Sequence, residues 1–523
     1  MSLDEKIGSK LDSINNAINS IIIVGGGSAG WMTAAAFSKI LGCQNYDIKV
    51  IESEAIGTVS VGEATIPQIR NFNSMLGLDE NDFLKHTRGT FKLGIEFVDW
   101  KKVDHAYMHP FGPYGTNMNG VHFHHFWLKN NQRKSYKGIL QKDKYQDDLL
   151  EYCLEGYAAK LNKFSRPLNA PNTPLSTINY AFHFDATLYA KYLRGFAEKR
   201  GVKRIEGIVD KVNTSAENGF IESVRLQDGD SITGDLFIDC TGFKGLLIEQ
   251  TLHSGFDDWS HWLPCNSAVA QASESIDEIK PYTISKAHGS GWQWQIPLQS
   301  RVGNGCVYSD VHLSQDEAIS HLQNNMPSKP IGEPRHLKWC NGKRKSPWIK
   351  NCVAIGLSAG FLEPLESTGL QLIQASIDRL LSLFPNKNFH QADIDAFNRY
   401  AEAEIEQIRD FIIVHYKQTE RTDSPFWKYC QNMEIPNSLQ CKLDLYSSSG
   451  RIIRENSELF SEISWLSVLN GQGVVPKSYH PLVNKASAQQ IDGQLNKMKD
   501  IIKQCAASLP MHKDYISKNC GMN

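Results

Sequence analysis

Ile21-Ile22-Ile23-Val24-Gly25-Gly26-Gly27-Ser28-Ala29-Gly30-Trp31-Met32-Thr33-Ala34-Ala35-Ala36-Phe37 reads as a β-branched strand, a glycine turn and the start of a helix. A second strand, Ile48-Lys49-Val50-Ile51, ends in Glu52. Strand, glycine turn, helix, strand and acid, in that order, make a βαβ dinucleotide unit. Gly25 permits the tight turn, Gly27 lets the backbone approach a pyrophosphate, and Gly30 lets helix and strand pack closely. Ser28 and Ala29 open the helix, whose unpaired N–H groups face the phosphates. Glu52 is placed to accept a hydrogen bond from a ribose 2′-OH, which favours FAD or NAD over NADP.

Further along, Gly234-Asp235 leads through an apolar run into Asp239-Cys240-Thr241-Gly242. A carboxylate at a strand end is suited to the ribityl part of a flavin, and the segment resembles the second nucleotide motif of FAD-dependent hydroxylase-type flavoproteins. That moves the expectation to FAD, with Asp239 in the cofactor site. Only one glycine fingerprint is present, so no built-in NAD(P)H domain is expected. A helix over about 184–199, a hairpin over 221–241 turning at Asp228-Gly229, and a buried strand at 352–356 follow. A helix over about 369–384 is ended by Pro385, and residues 400–418 and 486–506 are helical. The expected fold is α/β: a hydroxylase-like, Rossmann-type FAD domain with a β-rich insertion and a helical C-terminal part. The expected division is a polar helical extension at 1–19; a discontinuous FAD domain at 20–100, 180–260 and 345–400; a substrate region at 101–179 and 261–344; and the helical part at 401–523.

Composition excludes several classes of function. With 55 Lys+Arg against 57 Asp+Glu, the 523-residue chain carries a formal charge of −2, which argues against nucleic acid or an anionic membrane as partner. No apolar stretch reaches the ~20 residues of a membrane span, and the N-terminus lacks signal-peptide character. Eleven cysteines include no C-x-x-C, so reduced thiols in a cytoplasmic protein are expected, without disulfides or zinc. His122, His124 and His125 form an H-x-H-H cluster, but no Cys or carboxylate stands at ligand spacing. They read as a surface or pocket wall of the substrate domain, and no metal is expected. Tyr180–Asp185 reads as a structural lead-in to a helix.

In Gly291-Trp292-Gln293-Trp294-Gln295-Ile296-Pro297, two tryptophans two residues apart share one face of a strand and form a rigid apolar wall. Thr90-Phe91-Lys92-Leu93-Gly94-Ile95-Glu96-Phe97 alternates as a strand, with Thr90, Lys92 and Glu96 on its polar face. Glu366, Thr368 and Gly369 precede a helix, where unpaired backbone N–H groups form an anion site.

The W-x-W-x-I-P pattern resembles the motif that defines the flavin-dependent halogenases of the tryptophan halogenase family, where it is thought to keep organic substrate from the flavin. Gly26–Ala34 is similar to that family's G-G-x-x-A-G-W-M-x-A start, and Val61-Gly62-Glu63-Ala64-Thr65-Ile66-Pro67 to its flavin loop. Thr90–Leu93 resembles the segment carrying its essential lysine, and Glu363-Pro364-Leu365-Glu366-Ser367-Thr368-Gly369 the segment carrying its glutamate and halide site. The similarity runs from about 20 to 475.

The resemblance implies Lys92 and Glu366 as catalytic residues, Thr368 and Gly369 as halide ligands, and Trp292 and Trp294 as the shield. It adds Ser53, Glu63, Val209, Leu357 and Leu370 to the FAD contacts. The implied reaction takes FADH2, O2 and chloride or bromide, makes hypohalous acid, and halogenates an electron-rich, indole-type ring. Lys92 would hold the halogen as a haloamine or by hydrogen bonding, and a separate NAD(P)H flavin reductase would supply FADH2. Tryptophan-specific members carry a tyrosine pair where this chain has Ser464-Trp465, which points to an indole other than free tryptophan. A flavin monooxygenase and a non-catalytic flavin module are the rival readings, and the sequence is compatible with a homodimer.

Overall fold

The computed structural model describes residues 16–55, 62–136, 149–455 and 458–522. Strand Ser20–Val24 runs parallel to Asp47–Glu52 on one side and to Leu236–Asp239 on the other. Lys203–Glu206 and Cys352–Ala354 extend the sheet in parallel, and Trp348–Ile349 closes one edge in antiparallel, making six strands. Ile21, Ile22 and Ile23 have no exposed surface, which is why this run is apolar without alternation: a parallel strand is covered on both faces. Helix Ser28–Ile40 buries Trp31, Met32, Ala34, Ala35, Ala36 and Phe37 in the core on one side of the sheet.

The hairpin forms as Ile221–Leu226 and Ser231–Thr233, with Gly229 at positive φ in its turn. The helices expected at 184–199, 369–384, 400–418 and 486–506 are observed at Ala186–Glu198, Gly369–Ser382, Gln391–Lys417 and Ala488–Ser508. Trp292 and Trp294 lie in strand Gly291–Pro297 of a seven-stranded sheet. Its order is Pro330–Lys338, Ser267–Glu274, Arg301–Tyr308, Gly291–Pro297, Thr283–His288, Gly94–Val98, Ala106–Pro110. The C-terminal helices cover this sheet in a second hydrophobic core.

Several expectations are corrected. Thr90–Phe97 is not one strand. It breaks at Leu93, whose N–H donates to the Pro281 carbonyl at 2.7 Å. Thr90–Lys92 pairs with Ala181–Asp185 in a three-stranded sheet, while Gly94–Val98 joins the seven-stranded sheet. Lys92 therefore has no solvated face; it is fully buried. Gly94–Val98 lies in that seven-stranded sheet, not in the nucleotide sheet. Residues 101–179 hold more helix than strand where described, with one strand at Ala106–Pro110 and helices at Phe123–Tyr136 and Leu154–Lys160. Of the polar extension, residues 1–15 lie outside the described residues, and 16–19 form no helix. No helix among the described residues is long and apolar enough to cross a membrane, and all eleven cysteines are free thiols.

Candidate active site

The glycine turn is shaped for a dinucleotide. Gly25 has φ of +113°, a conformation open to glycine, and a side chain there would collide with the Cys240 carbonyl. A side chain at Gly30 would strike the Gly25 carbonyl oxygen, whereas a Cβ on Gly27 meets nothing within 4 Å. Gly27 caps the following helix without a side-chain hydrogen bond, and the helix has no acid in its first turn. The open cradle and bare helix N-terminus fit a pyrophosphate.

Glu52 stands at the end of its strand beside this turn. Its carboxylate accepts from the Trp31 indole at 3.0 Å, from Arg194 at 3.2 Å, and from Arg204. Ser53 follows it. Glu63 lies in strand Gly62–Ala64, and burial pushes its carboxyl up to about 7. Val209 is half-buried at the start of a strand, Leu357 is exposed on a helical turn, and Leu370 is buried in the first turn of helix Gly369–Ser382. Val61 lies outside the described residues.

The Gly234-Asp235 carboxylate does not face a ribityl site. Asp235 accepts from the N–H of Asn19 and Ser20, at the opposite end of the sheet from the glycine turn. Asp239 is at the correct end, but its carboxylate is spent on its own loop. Oδ1 accepts from the Thr241 N–H and hydroxyl, and Oδ2 from the N–H of Leu247 and Ile248. It shapes the loop beside the turn and acts through it.

A second site gathers around Lys92. Its Nζ donates to the Ser367 hydroxyl at 2.9 Å and sits 5.3 Å from the centre of the Phe111 ring. Burial pushes the amine down to about 7, against the opposing pull of Glu366. Ser367 holds φ of +59°, an uncommon left-handed conformation for a serine, between Glu366 and the helix start. The turn thereby aims Ser367 at Lys92 and leaves the N–H groups of Thr368 and Gly369 without a protein acceptor among the described residues.

Glu366 is fully buried between two histidines. His109 Nδ1 lies 2.9 Å from Oε2, and His415 Nε2 lies 2.9 Å from Oε1. Burial alone would raise this carboxyl, but His109, assisted by His415, outweighs it and holds Glu366 down to about 2. His415 Nδ1 is 2.9 Å from the Phe411 carbonyl, which can only accept. Aromatic rings wall the site: Phe411 stacks on Phe460 at 3.8 Å and meets Trp465 edge-on at 5.0 Å. Trp292 and Trp294 are buried, with ring centres 6.0 Å apart. Beyond them, Tyr416 Oη is 2.6 Å from Glu363, whose carboxyl burial pushes up to about 8.

His109, Phe111, Ser367 and His415 had no role in the sequence reading; only Ser367 fell within a quoted motif. His124 and His125 are buried near His480. Among the described residues no group of His, Cys, Asp or Glu could hold a metal. Within Tyr180–Asp185, His183 bonds Thr90 and Thr283, and Asp185 caps the next helix.

A family model described as tryptophan halogenase matches residues 20–488. The chain belongs to the tryptophan halogenase family. Among its relatives, the tryptophan 6-halogenase ThaL of Streptomyces albogriseolus is 34% identical over 508 residues, covering 90% of this chain and 92% of ThaL. Among solved structures, Xcc4156, a flavin-dependent halogenase from Xanthomonas campestris, is 44% identical with a TM-score of 0.92, covering 97% of this chain and 99% of that one. BrvH, a flavin-dependent halogenase from Brevundimonas sp. BAL3, is 42% identical with a TM-score of 0.90, covering 96% and 99%. The protein is thus a flavin-dependent halogenase with the Rossmann-type FAD fold, and the buried Lys92–Glu366 cluster is the halogenase's candidate reaction centre.

Proposed function

We propose that this halogenase uses FADH2, O2 and chloride or bromide to halogenate an indole-type ring other than free tryptophan. The observation that carries this reading is a fully buried amine hydrogen-bonded to Ser367, the residue next to Glu366, whose fully buried carboxylate is held between two histidines. Gly25, Gly27, Ser28, Ala29, Gly30, Glu52, Ser53, Glu63, Val209, Leu357 and Leu370 would hold the cofactor. Once bound, reduced flavin with O2 supplies the oxidising chemistry that turns halide into hypohalous acid. Thr368 and Gly369 offer backbone N–H groups to the halide.

Lys92 then does what a solvated lysine could not. Its neutral amine takes the halogen: the N–X bond forms as the O–X bond breaks, and hydroxide leaves with an amine proton as water. The aromatic carbon next takes the halogen, the N–X electron pair returns to nitrogen, and the ring proton, taken up by Glu366, is passed on to that nitrogen to restore the neutral amine. His109 and His415 fix the carboxylate. Trp292 and Trp294 shield, while His109, Phe111, Phe460 and Trp465 form an aromatic enclosure suited to a flat, electron-rich ring. A separate NAD(P)H flavin reductase supplies FADH2, and the free thiols suit a reducing cytoplasm.

The test is mass spectrometry of the protein with FAD, an independent reductase, NADH, O2 and indole, with chloride and bromide in separate tubes and Lys92→Ala alongside. The expected result is a halogen isotope pattern on indole that vanishes in the variant, while FAD binding persists. Oxygenated indole without halogen would overturn the reading in favour of a monooxygenase.

A further inference from the structure

Strand Thr90–Lys92 has one edge paired with Ala181–Asp185 and the other turned toward the segment before Thr283. On that outer edge Leu93 N–H donates directly to the Pro281 carbonyl at 2.7 Å. Two residues back, the corresponding rung would join Phe91 N–H to the Ile279 carbonyl. It is spanned instead by an imidazole from the far end of the chain. His512 Nε2 accepts from Phe91 N–H at 3.2 Å, and His512 Nδ1 lies 2.9 Å from the Ile279 carbonyl. The two partners fix the ring's state: an amide needs an acceptor and a carbonyl needs a donor, so His512 is the neutral Nδ1–H tautomer.

The C-terminal arm that carries this ring is itself fastened to the same neighbourhood. His512 N–H donates to the Asn162 carbonyl at 2.8 Å, and Phe164 N–H to the Pro510 carbonyl at 3.2 Å. Phe164 stacks on Phe91 at 4.1 Å, and Tyr515 meets Phe91 edge-on at 5.5 Å. Gln299 binds the Gly89 and Cys520 carbonyls with one amide. His512 has no exposed surface, and burial pushes it down to about 4, so the ring stays an acceptor throughout the neutral range.

We propose that His512 is a positioning residue for the reaction: a neutral imidazole spacer that completes the ladder on the open edge of the lysine strand and sets where the Lys92 amine stands. This rests on the reading of Lys92 as catalytic. A backbone shift of an ångström at Phe91 is carried directly into the next residue. Misplacement on that scale costs roughly 10- to 100-fold in rate without weakening binding.

The test compares His512→Leu, His512→Asn and His512→Gln in the full-length protein. Glutamine can both accept from Phe91 N–H and donate to Ile279; leucine can do neither, and asparagine is too short for both. Two readouts are taken: steady-state halogenation of indole with FAD titrated separately, and amide hydrogen exchange of the peptide spanning Phe91. Leu and Asn are expected to lower kcat by roughly 10- to 100-fold with KM and FAD affinity unchanged, and to speed exchange at Phe91. Gln is expected to restore most of both. Wild-type kcat and exchange in His512→Leu would overturn the proposal, as would a Gln variant as impaired as Leu. Should the Leu variant fail to fold, the Asn–Gln pair decides. Exchange at Phe91 is read without any turnover. A wild type that does not halogenate indole would therefore count against the functional reading, and the exchange arm would still judge the spacer.

Discussion

Lys92 is the residue on which the proposed chemistry turns, and its ionisation gives a signed prediction. A protonated amine has no lone pair for the halogen, so the halogenation rate should fall as pH drops through about 7. Glu366, held at about 2, stays ionised over the same range and should add no second acid limb. Ser367 accepts from the ammonium, so Ser367→Ala removes a contact that favours the charged form and should move the limb to lower pH. The measurement is single-turnover halogenation at fixed reduced flavin across pH 5–9, for both proteins. A limb that stays in place in Ser367→Ala belongs to another group. The resemblance named Lys92 and Glu366, but the alternation of the segment alone gave Lys92 a polar strand face and left Ser367 without a role. The burial of Lys92 follows from a break at Leu93, and the partner that causes the break, Pro281, lies far along the chain.

At the scale of an element, the order strand, glycine turn, helix was legible because its logic is local: the three are contiguous. The Gly-Asp segment was misread for the complementary reason. A strand-end carboxylate looks the same at either end of its strand, and only the register of Leu236–Asp239 against Ser20–Val24 shows that Asp235 sits at the far end. The glycines can be separated experimentally. Gly27 faces open space at φ of −76°, so Gly27→Val should fold with a melting temperature within a few degrees of wild type but lose FAD affinity by more than about 100-fold, because the branched side chain fills the pyrophosphate's place. Gly30→Val drives a side chain into the Gly25 carbonyl and should fail to give soluble, folded protein. Circular dichroism and flavin fluorescence check both. Flavin binding by Gly27→Val at wild-type strength would remove the turn from the cofactor site.

At the scale of the whole molecule, the candidate reaction centre draws residues 92, 109, 366–367, 411, 415, 460 and 465 from stretches far apart in the chain. Building it required burying acids whose charge the fold does not compensate. Burial raises Glu155 to about 7 and Glu363 to about 8. Both groups keep a proton in the folded state that the unfolded chain releases near the ordinary carboxylate value. Stability should therefore fall as pH rises from about 4.5 toward 8, by up to ~1.4 kcal/mol per unit for each group. The buried histidines act from the other side. Burial lowers His124 and His512 to about 4, so the unfolded state binds their protons first and stability falls as pH drops below about 6.5. Lys92 acts in the same sense as the histidines at higher pH: lowered to about 7, it sheds a proton the unfolded chain keeps, so it adds stability as pH rises above 7 and there opposes Glu363. Glu363→Gln keeps the shape and the Tyr416 contact but cannot ionise, so its stability relative to wild type should rise steadily from about pH 5 to 8. Thermal melts of both proteins from pH 5 to 9 decide the matter. Parallel curves for the two proteins would mean that Glu363 ionises in the fold at an ordinary pH and that water reaches it.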